Sequence, residues 1–442
     1  MANAVTRMDR FLGYGCSVCG HRYGPEDVTY VCPDDGGNLD VLLDLEVIRR
    51  TATPASVQQS GEASIWRYLP LLPVGDPGHD GTPLKAVGWT PFFRSRRLAA
   101  DLGLSRLWLK DDGRNPTASF KDRASAVVVA RAQEIEADVI ITASTGNAGA
   151  ALAGMAAAAG RPAVILAPKT APPAKVAQLL IFGARVVLVD GSYDQAFDLT
   201  LEAAQAFGWY CRNTGYNPFT AEGKKTAAYE ICEQFTAAAT SPVGAKHIVP
   251  SGARDASPIP WMSPDAVFVS VGDGNIISGL HKGFRDLQEL GWIEHLPRLF
   301  GIQSTGSAAV AHAFQRGDET IVPVRADTLA DSISVDLPRD GLRALRAATR
   351  TGGAYLTVTD AEILQALAAL GRREAIFSEP AAAAAFAGLQ KARAAGQIGP
   401  DDSIVVMLTG SGLKDVRAAM QAAGQAAVIE PRLDALQKAL AL

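Results

Sequence analysis

From about residue 104 onward, short apolar runs alternate with long alanine-rich stretches, and this alternation constrains the fold more than any other feature. The runs Leu107–Leu109, Val139–Thr142, Ala163–Ala167, Val186–Val189, Ala266–Val271, Leu299–Gln303 and Ile404–Leu408 have the length of strands buried on both faces. Stretches such as Ala148–Ala159 and Ala381–Ala394 read as helices between them. Strand–helix–strand repetition predicts an α/β fold: a mostly parallel, open twisted sheet with helices on both faces. No internal repeat is evident. Residues 237–262, with four prolines and many small polar residues, are expected to form a long surface loop.

Composition narrows the functional class. A net charge of -4 favours neither nucleic acid nor an anionic membrane surface. No stretch reaches the roughly 18 apolar residues of a membrane span. The opening Met1–Phe11 carries no apolar signal core, so the expected compartment is the cytoplasm. Three of the five cysteines cluster near the start, as Cys16-x-x-Cys19 and Cys32, followed by Asp35 where a fourth thiolate would complete a zinc ribbon. Asp35 or His21 could complete such a site. The reading adopted from sequence is a degenerate ribbon over residues 1–50 that binds no metal stably. Residues 51–84, rich in Pro and Gly, read as a linker wrapping onto the next domain.

Four segments carry chemistry. In Asn115-Pro-Thr-Ala-Ser-Phe-Lys121-Asp-Arg123, Pro116 breaks regular structure and Thr117 or Ser119 can cap a following helix, placing Lys121 at a helix start. The dipole there disfavours a cation, which suits an amine that must act uncharged as a nucleophile or Schiff base. The plain alternative is an exposed lysine beside a helix start. Ser144-Thr145-Gly146-Asn147 follows a strand and offers hydroxyl and N–H donors to a carboxylate or phosphate, or forms an ordinary turn. Gly272-Asp273-Gly274-Asn275 also ends a strand, and its glycines permit close backbone approach to a phosphate. It is not a dinucleotide fingerprint, because the next glycine comes only at Gly279. Thr409-Gly-Ser-Gly412 follows the last strand and places a hydroxyl where a neutral ring nitrogen could be met. Turns at the carboxyl ends of strands of one sheet converge on one crevice, where open α/β folds bind ligands.

On these residues the chain resembles threonine synthases and other fold-type-II pyridoxal-phosphate enzymes of the tryptophan synthase β-like superfamily. Asn115–Arg123 is similar to the family's lysine block, with Ala118 in place of glycine. Tyr216–Thr226, Ser378–Ala381 and Leu408–Asp415 are similar to further family segments. The resemblance implies two sheets: a large cofactor-binding domain of residues 85–125 and 225–442, and a small domain of residues 126–224. It implies pyridoxal 5'-phosphate held covalently by Lys121, its ring hydroxyl met by Asn147 and its phosphate by Gly272, Asp273, Gly274, Asn275 and Ile276. Thr409 would face the pyridine nitrogen, and Ser144, Thr145 and Asn147 the substrate carboxylate. The implied reaction converts O-phospho-L-homoserine and water to L-threonine and phosphate, by a cytoplasmic homodimer acting on a small amino acid. The alternatives are β-elimination or β-replacement on phosphoserine, serine or threonine, and, more remotely, a non-catalytic cofactor-binding sensor. Two positions depart from the pattern: Ser411 stands where many relatives have His, and Thr220 where some have an Arg aimed at the substrate phosphate. Arg114, in the loop entering the site, is the cation expected to replace that Arg. Lys224 and Lys225 could also replace it, but following Glu222-Gly223 on a new helix they read as a solvated face.

Overall fold

The computed structural model describes residues 10–144, 146–171, 173–240 and 260–440. The chain opens with a three-stranded antiparallel sheet of β1 (Phe11–Cys16), β2 (Arg22–Tyr23) and β3 (Leu39–Leu43), with β1 in the centre. Residues 51–84 are packed rather than loose: Ile65, Trp66, Tyr68, Leu71 and Leu72 are all buried. Arg67 of this segment pairs with Glu233 at 2.6 Å, both side chains inside the protein.

Two further sheets follow. β4 (Phe92–Arg94) and β5 (Arg106–Asp111) begin the larger one. The chain then leaves through helix α1 (Lys121–Glu134) to build a four-stranded sheet of β6 (Ile140–Ala143), β7 (Ala163–Pro168), β8 (Arg185–Val189) and β9 (Tyr210–Cys211), all parallel, in the order β8-β7-β6-β9. Helix α2 (Asn147–Ala158) follows β6 directly, and helix α3 (Phe219–Thr240) leads back out. The larger sheet is completed by β10 (Ala266–Ser270), β11 (Arg298–Ser304), β12 (Ala354–Val358) and β13 (Ser403–Leu408). Its order is β12-β11-β10-β13-β5-β4, parallel throughout except for the antiparallel edge strand β4. Helices α4 (Asn275–Glu289), α5 (Gly341–Arg350) and α6 (Pro380–Ala394) belong to this unit.

Strands β10 and β13 are nearly continuous apolar runs, and β5 has an apolar centre at Leu107–Leu109, because helices cover both faces of the sheet. All seven strands expected from the sequence are present, each within two residues of its expected bounds. The strands not anticipated are β1 to β4, β9 and β12, which are short, lie at edges or carry half-exposed residues. The loop expected from residue 237 begins later, since α3 runs on to Thr240; positions 241–259 of that loop lie outside the described residues. No helix among the described residues is long and apolar enough to cross a membrane.

Candidate active site

Lys121 is the first residue of α1, and its position is set by a crossed backbone pairing. Phe120 N–H donates to Thr409 O (2.9 Å), Ser411 N–H to Ala118 O (3.1 Å), and Glu379 N–H to Gly410 O (2.9 Å). The lysine block is thereby stitched to the carboxyl end of β13, which brings Thr409 to the same cavity as Lys121. Ala118 turns the chain with φ 65°, a left-handed conformation that costs a non-glycine residue ~1–2 kcal/mol. Asp122 closes the turn, accepting from Thr117 N–H (2.6 Å) and from the Thr117 hydroxyl. Behind it, Arg123 is buried between Asp112 (Nε to Oδ2, 2.6 Å) and Glu230 (Nη1 to Oε1, 2.6 Å).

The cavity is lined by Lys121, Thr214, Lys224, Ser270, Gly272 to Ile276, Ser332, Ile333, Glu379, Ala381 and Thr409. Gly272–Asn275 leads from β10 into α4, so the first-turn N–H groups of a 15-residue helix point at this space without intrahelical partners. Gly274 has φ 94°, and a Cβ there would lie 2.6 Å from Ala344 Cβ and 2.7 Å from Asp340 O, so glycine is required. Asn275 is fixed on both sides of its amide: Nδ2 donates to Asp340 (2.6 Å), while Oδ1 accepts from Lys224 Nζ (2.5 Å) and Thr220 Oγ1 (3.1 Å).

Ser144 Oγ accepts from Gly146 N–H (3.1 Å) and Gly149 N–H (2.8 Å), which shapes the turn between β6 and α2. Thr145 lies outside the described residues. Asn147 opens α2 and donates from Nδ2 to both Glu379 oxygens at 3.0 Å. Its Oδ1 is buried without a partner, as are Ser270 Oγ and one terminal nitrogen of Arg212. Buried polar atoms left unpaired mark places where a polar ligand belongs.

Charge in the site is arranged unevenly. Burial holds the Lys121 amine below its ordinary range; Glu379 and Asp273 oppose that effect and Arg212 adds to it. Burial also depresses Lys224, and the charges of Lys121 and Arg212 push in the same direction. Arg212, which follows β9, is fully buried and held at about 10 by burial; it donates to Thr214 Oγ1 at 2.7 Å. Burial raises both carboxyls near these groups, Asp273 and Glu379, against the opposing charges of the lysines around them.

Most residues expected from the sequence are therefore brought together: Lys121, Gly272 to Ile276 and Thr409 line one cavity, and Asn147 reaches it through Glu379. Arg114 is not among them. It sits exposed on a short 3-10 turn, outside the cavity lining. Lys224 and Lys225 form no solvated face; both are completely buried, Lys224 toward the cavity and Lys225 toward Glu222 and Asp286. Arg212, Ser270 and Glu379 were assigned no role from the sequence.

A lysine at a helix start, a glycine-rich cradle on a second helix start and a strand-end hydroxyl, all on an open α/β scaffold, define a pyridoxal-phosphate enzyme. The chain belongs to the pyridoxal-phosphate dependent enzyme family, which matches residues 84–410. It is similar to the threonine synthase of Methanocaldococcus jannaschii, with 36% identity over 427 residues that cover 96% of this chain and 98% of the relative. It is also similar to the threonine synthase of Methanosarcina acetivorans, with 34% identity over 428 residues and the same coverages of 96% and 98%. In fold it resembles the processed form of threonine deaminase isoform 2 from Solanum lycopersicum, with a TM-score of 0.62 and 22% identity over 81% of this chain and 88% of that one.

Proposed function

We propose that this chain is a threonine synthase, converting O-phospho-L-homoserine and water to L-threonine and phosphate. The observation that carries the substrate is a pair of buried basic side chains, Lys224 and Arg212, with no carboxylate within ion-pair distance among the described residues. A cradle of helix-start N–H groups already suits one phosphate, that of the cofactor. Lys224, whose partner is the amide oxygen of Asn275, and Arg212, with one terminal nitrogen unpaired, lie beside it and suit a second dianion in the same space. A substrate that carries its own phosphate supplies that charge.

The residues present fit the cofactor. Lys121 would hold it covalently, Gly272 to Ile276 its phosphate, Thr409 its ring nitrogen, and the unpaired Asn147 Oδ1 and Ser270 Oγ are further polar atoms open to it. Pyridoxal phosphate, when bound, supplies the electron sink that makes the substrate's Cα and Cβ protons removable. The chain does the rest. The Lys121 amine, which burial holds below its ordinary range, takes protons from Cα and Cβ and returns them at Cγ and Cα. The N–H donors of the turn between β6 and α2 receive the substrate carboxylate, with Ser144 holding that turn in shape. Arg212 and Lys224 bind the γ-phosphate and stabilise it as it departs from Cγ. Water then adds at Cβ.

Steady-state assays of purified holoenzyme with phosphohomoserine, phosphoserine, serine and threonine test this reading. Threonine and phosphate should form in equal amounts from phosphohomoserine. Turnover of phosphoserine, serine or threonine alone would move the chain to the β-elimination class.

A further inference from the structure

The cysteines near the chain start take no part in the chemistry above, yet they are placed with care. Two turns of the same construction face each other. In Cys16-x-x-Cys19-Gly20, Gly20 N–H donates to Cys16 O (3.1 Å) and Cys16 N–H to His21 O (2.8 Å), with Gly20 at φ 77°. In Cys32-x-x-Asp35-Gly36, Gly36 N–H donates to Cys32 O (2.8 Å) and Cys32 N–H to Gly37 O (2.9 Å), with Gly36 at φ 70°. Each turn presents its first and fourth side chains to a common point.

The ligand atoms of Cys16, Cys19, Cys32 and Asp35 all lie within 4.8 Å of one another. Cys19 Sγ is 3.8 Å from Cys32 Sγ, and Cys16 Sγ is 3.3 and 3.5 Å from the two Asp35 oxygens. Zinc bonds of about 2.3 Å to sulfur and about 2.0 Å to oxygen, at tetrahedral angles, give edges of ~3.8 Å for S···S and ~3.5 Å for S···O. The Cys19–Cys32 and Cys16–Asp35 edges have those lengths, and all three cysteines are free thiols. Outer donors are also in place: Val18 N–H to Cys16 Sγ (3.3 Å), Tyr23 Oη at 3.0 Å from Cys32 Sγ, and Gly37 N–H to Asp35 Oδ1 (2.8 Å). His21, the other residue considered from sequence, is turned to Asp34 (2.9 Å) and stacked on Tyr23.

We propose that Cys16, Cys19, Cys32 and Asp35 bind one zinc ion per chain in a closed, four-coordinate structural site. This reverses the expectation drawn from sequence, where a carboxylate in the fourth position was taken to leave the site too weak. A carboxylate oxygen is an ordinary zinc ligand once geometry delivers it, and here a backbone N–H holds it on target.

The site borders the cofactor cradle. Asn38, three residues past Asp35, donates to Arg339 O (3.1 Å) and to Gly215 O. Asp40 of β3 accepts from Arg343 (2.6 Å), Arg343 donates to Asp340 (2.6 and 2.9 Å), and Asp340 accepts from Asn275 of the cradle. Loss of the ion releases this relay, a consequence that rests on the cradle's assignment to the cofactor phosphate.

The test uses full-length holoenzyme equilibrated with zinc and then dialysed. Elemental analysis should find one zinc per chain in wild type and in Asp35→Cys, and well under half in Cys19→Ser. Cys19 is exposed, so its replacement spares the core. Wild type far below one zinc, or Cys19→Ser retaining a full equivalent, overturns the site. Cobalt substitution of wild type gives a readout independent of any variant. Intense red-region bands of tetrahedral cobalt with thiolate ligands support the site, and the pale spectrum of an octahedral ion refutes it. Stripping zinc with a chelator should weaken binding of pyridoxal phosphate severalfold, and unchanged affinity overturns the relay while leaving the metal measurements to stand by themselves.

Discussion

Replacing Glu230 by Gln should destabilise the protein by ~3–5 kcal/mol at neutral pH, the usual cost of breaking a buried ion pair. Glu230 is inaccessible to solvent and accepts from Lys110 Nζ (2.7 Å), both terminal nitrogens of Arg123 (2.6 and 2.8 Å), Trp89 N–H (2.8 Å) and Thr90 N–H (3.3 Å). Burial alone would raise its carboxyl, but Arg123 and Lys110 more than reverse that and hold it at about 2, against 4.5 for an ordinary glutamate. That displacement corresponds to roughly 3 kcal/mol of stability by linkage, in line with the cost of breaking the pair. Glutamine retains one acceptor and turns an amide donor toward groups that are themselves donors, with Arg123 left to Asp112 and Lys110 to the neutral Thr90 O and Gln234 Oε1.

The sign of the pH dependence follows from a depressed carboxyl. Its contribution is fully present above the unfolded value near 4.5 and disappears as pH falls toward 2. The gap between wild type and Glu230→Gln should therefore shrink to ~1.4 kcal/mol at pH 3. Urea unfolding at pH 7 and pH 3, with both midpoint and slope recorded, measures this. Because Arg123 lies two residues beyond Lys121, the variant should also lose bound cofactor more readily. A variant as stable as wild type at pH 7, or a gap that does not change with pH, refutes the argument.

Lys121→Ala should abolish the borohydride-stable attachment of pyridoxal phosphate while leaving the fold intact by circular dichroism; retained attachment would place the covalent link on another lysine. Arg212→Leu should raise KM for phosphohomoserine by tenfold or more, since a charge-assisted contact is worth ~1.5–3 kcal/mol and ~1.4 kcal/mol is a factor of ten. Arg114→Ala should stay within about twofold of wild type on the scale of exposed charge contacts, and the opposite ranking of these two variants would return the phosphate to Arg114. Thr409→Asp should keep the cofactor bound but lower kcat far more than KM, because a carboxylate protonates a ring nitrogen that a hydroxyl leaves neutral; unchanged kcat would mean that Thr409 does not meet the ring.

Much of this site was legible because its signals are local. Pro116 and the polar residues around it announce a helix start, and the structure places Lys121 at one. Strand-end glycines mark where backbone must approach a ligand, as Gly274 does at φ 94°. The lysine block even keeps its left-handed turn with Ala118 in place of glycine, because three backbone hydrogen bonds to the end of β13 and to Asn115 over-determine it. Arg212 gave no such signal. It follows a strand of two residues, too short to be recognised, and its hydrogen-bond partners, Ser125 of α1 and Thr214, come from separate parts of the chain.

The two lysines of α3 show why side-chain direction was harder to read than secondary structure. An amphipathic reading assigns charge to the solvent side, and it holds when a helix has one. α3 has none along Phe219–Glu233, because α1 and α4 both pack against it and that whole stretch is buried. In such a helix every charge must be matched inside the protein. Lys225 is matched, by Glu222 at 2.6 Å and Asp286 at 2.9 Å, and its role is to hold α3 to α4. Lys224 has no carboxylate within ion-pair distance among the described residues; its nearest partner is the neutral amide of Asn275. Burial and the charges of Lys121 and Arg212 hold the Lys224 amine well below its ordinary range, and an anion placed beside it favours the charged form. Room for such an anion is the cavity that Lys224 lines, so the adjacent lysine that looks identical in sequence belongs to the scaffold and this one borders the site.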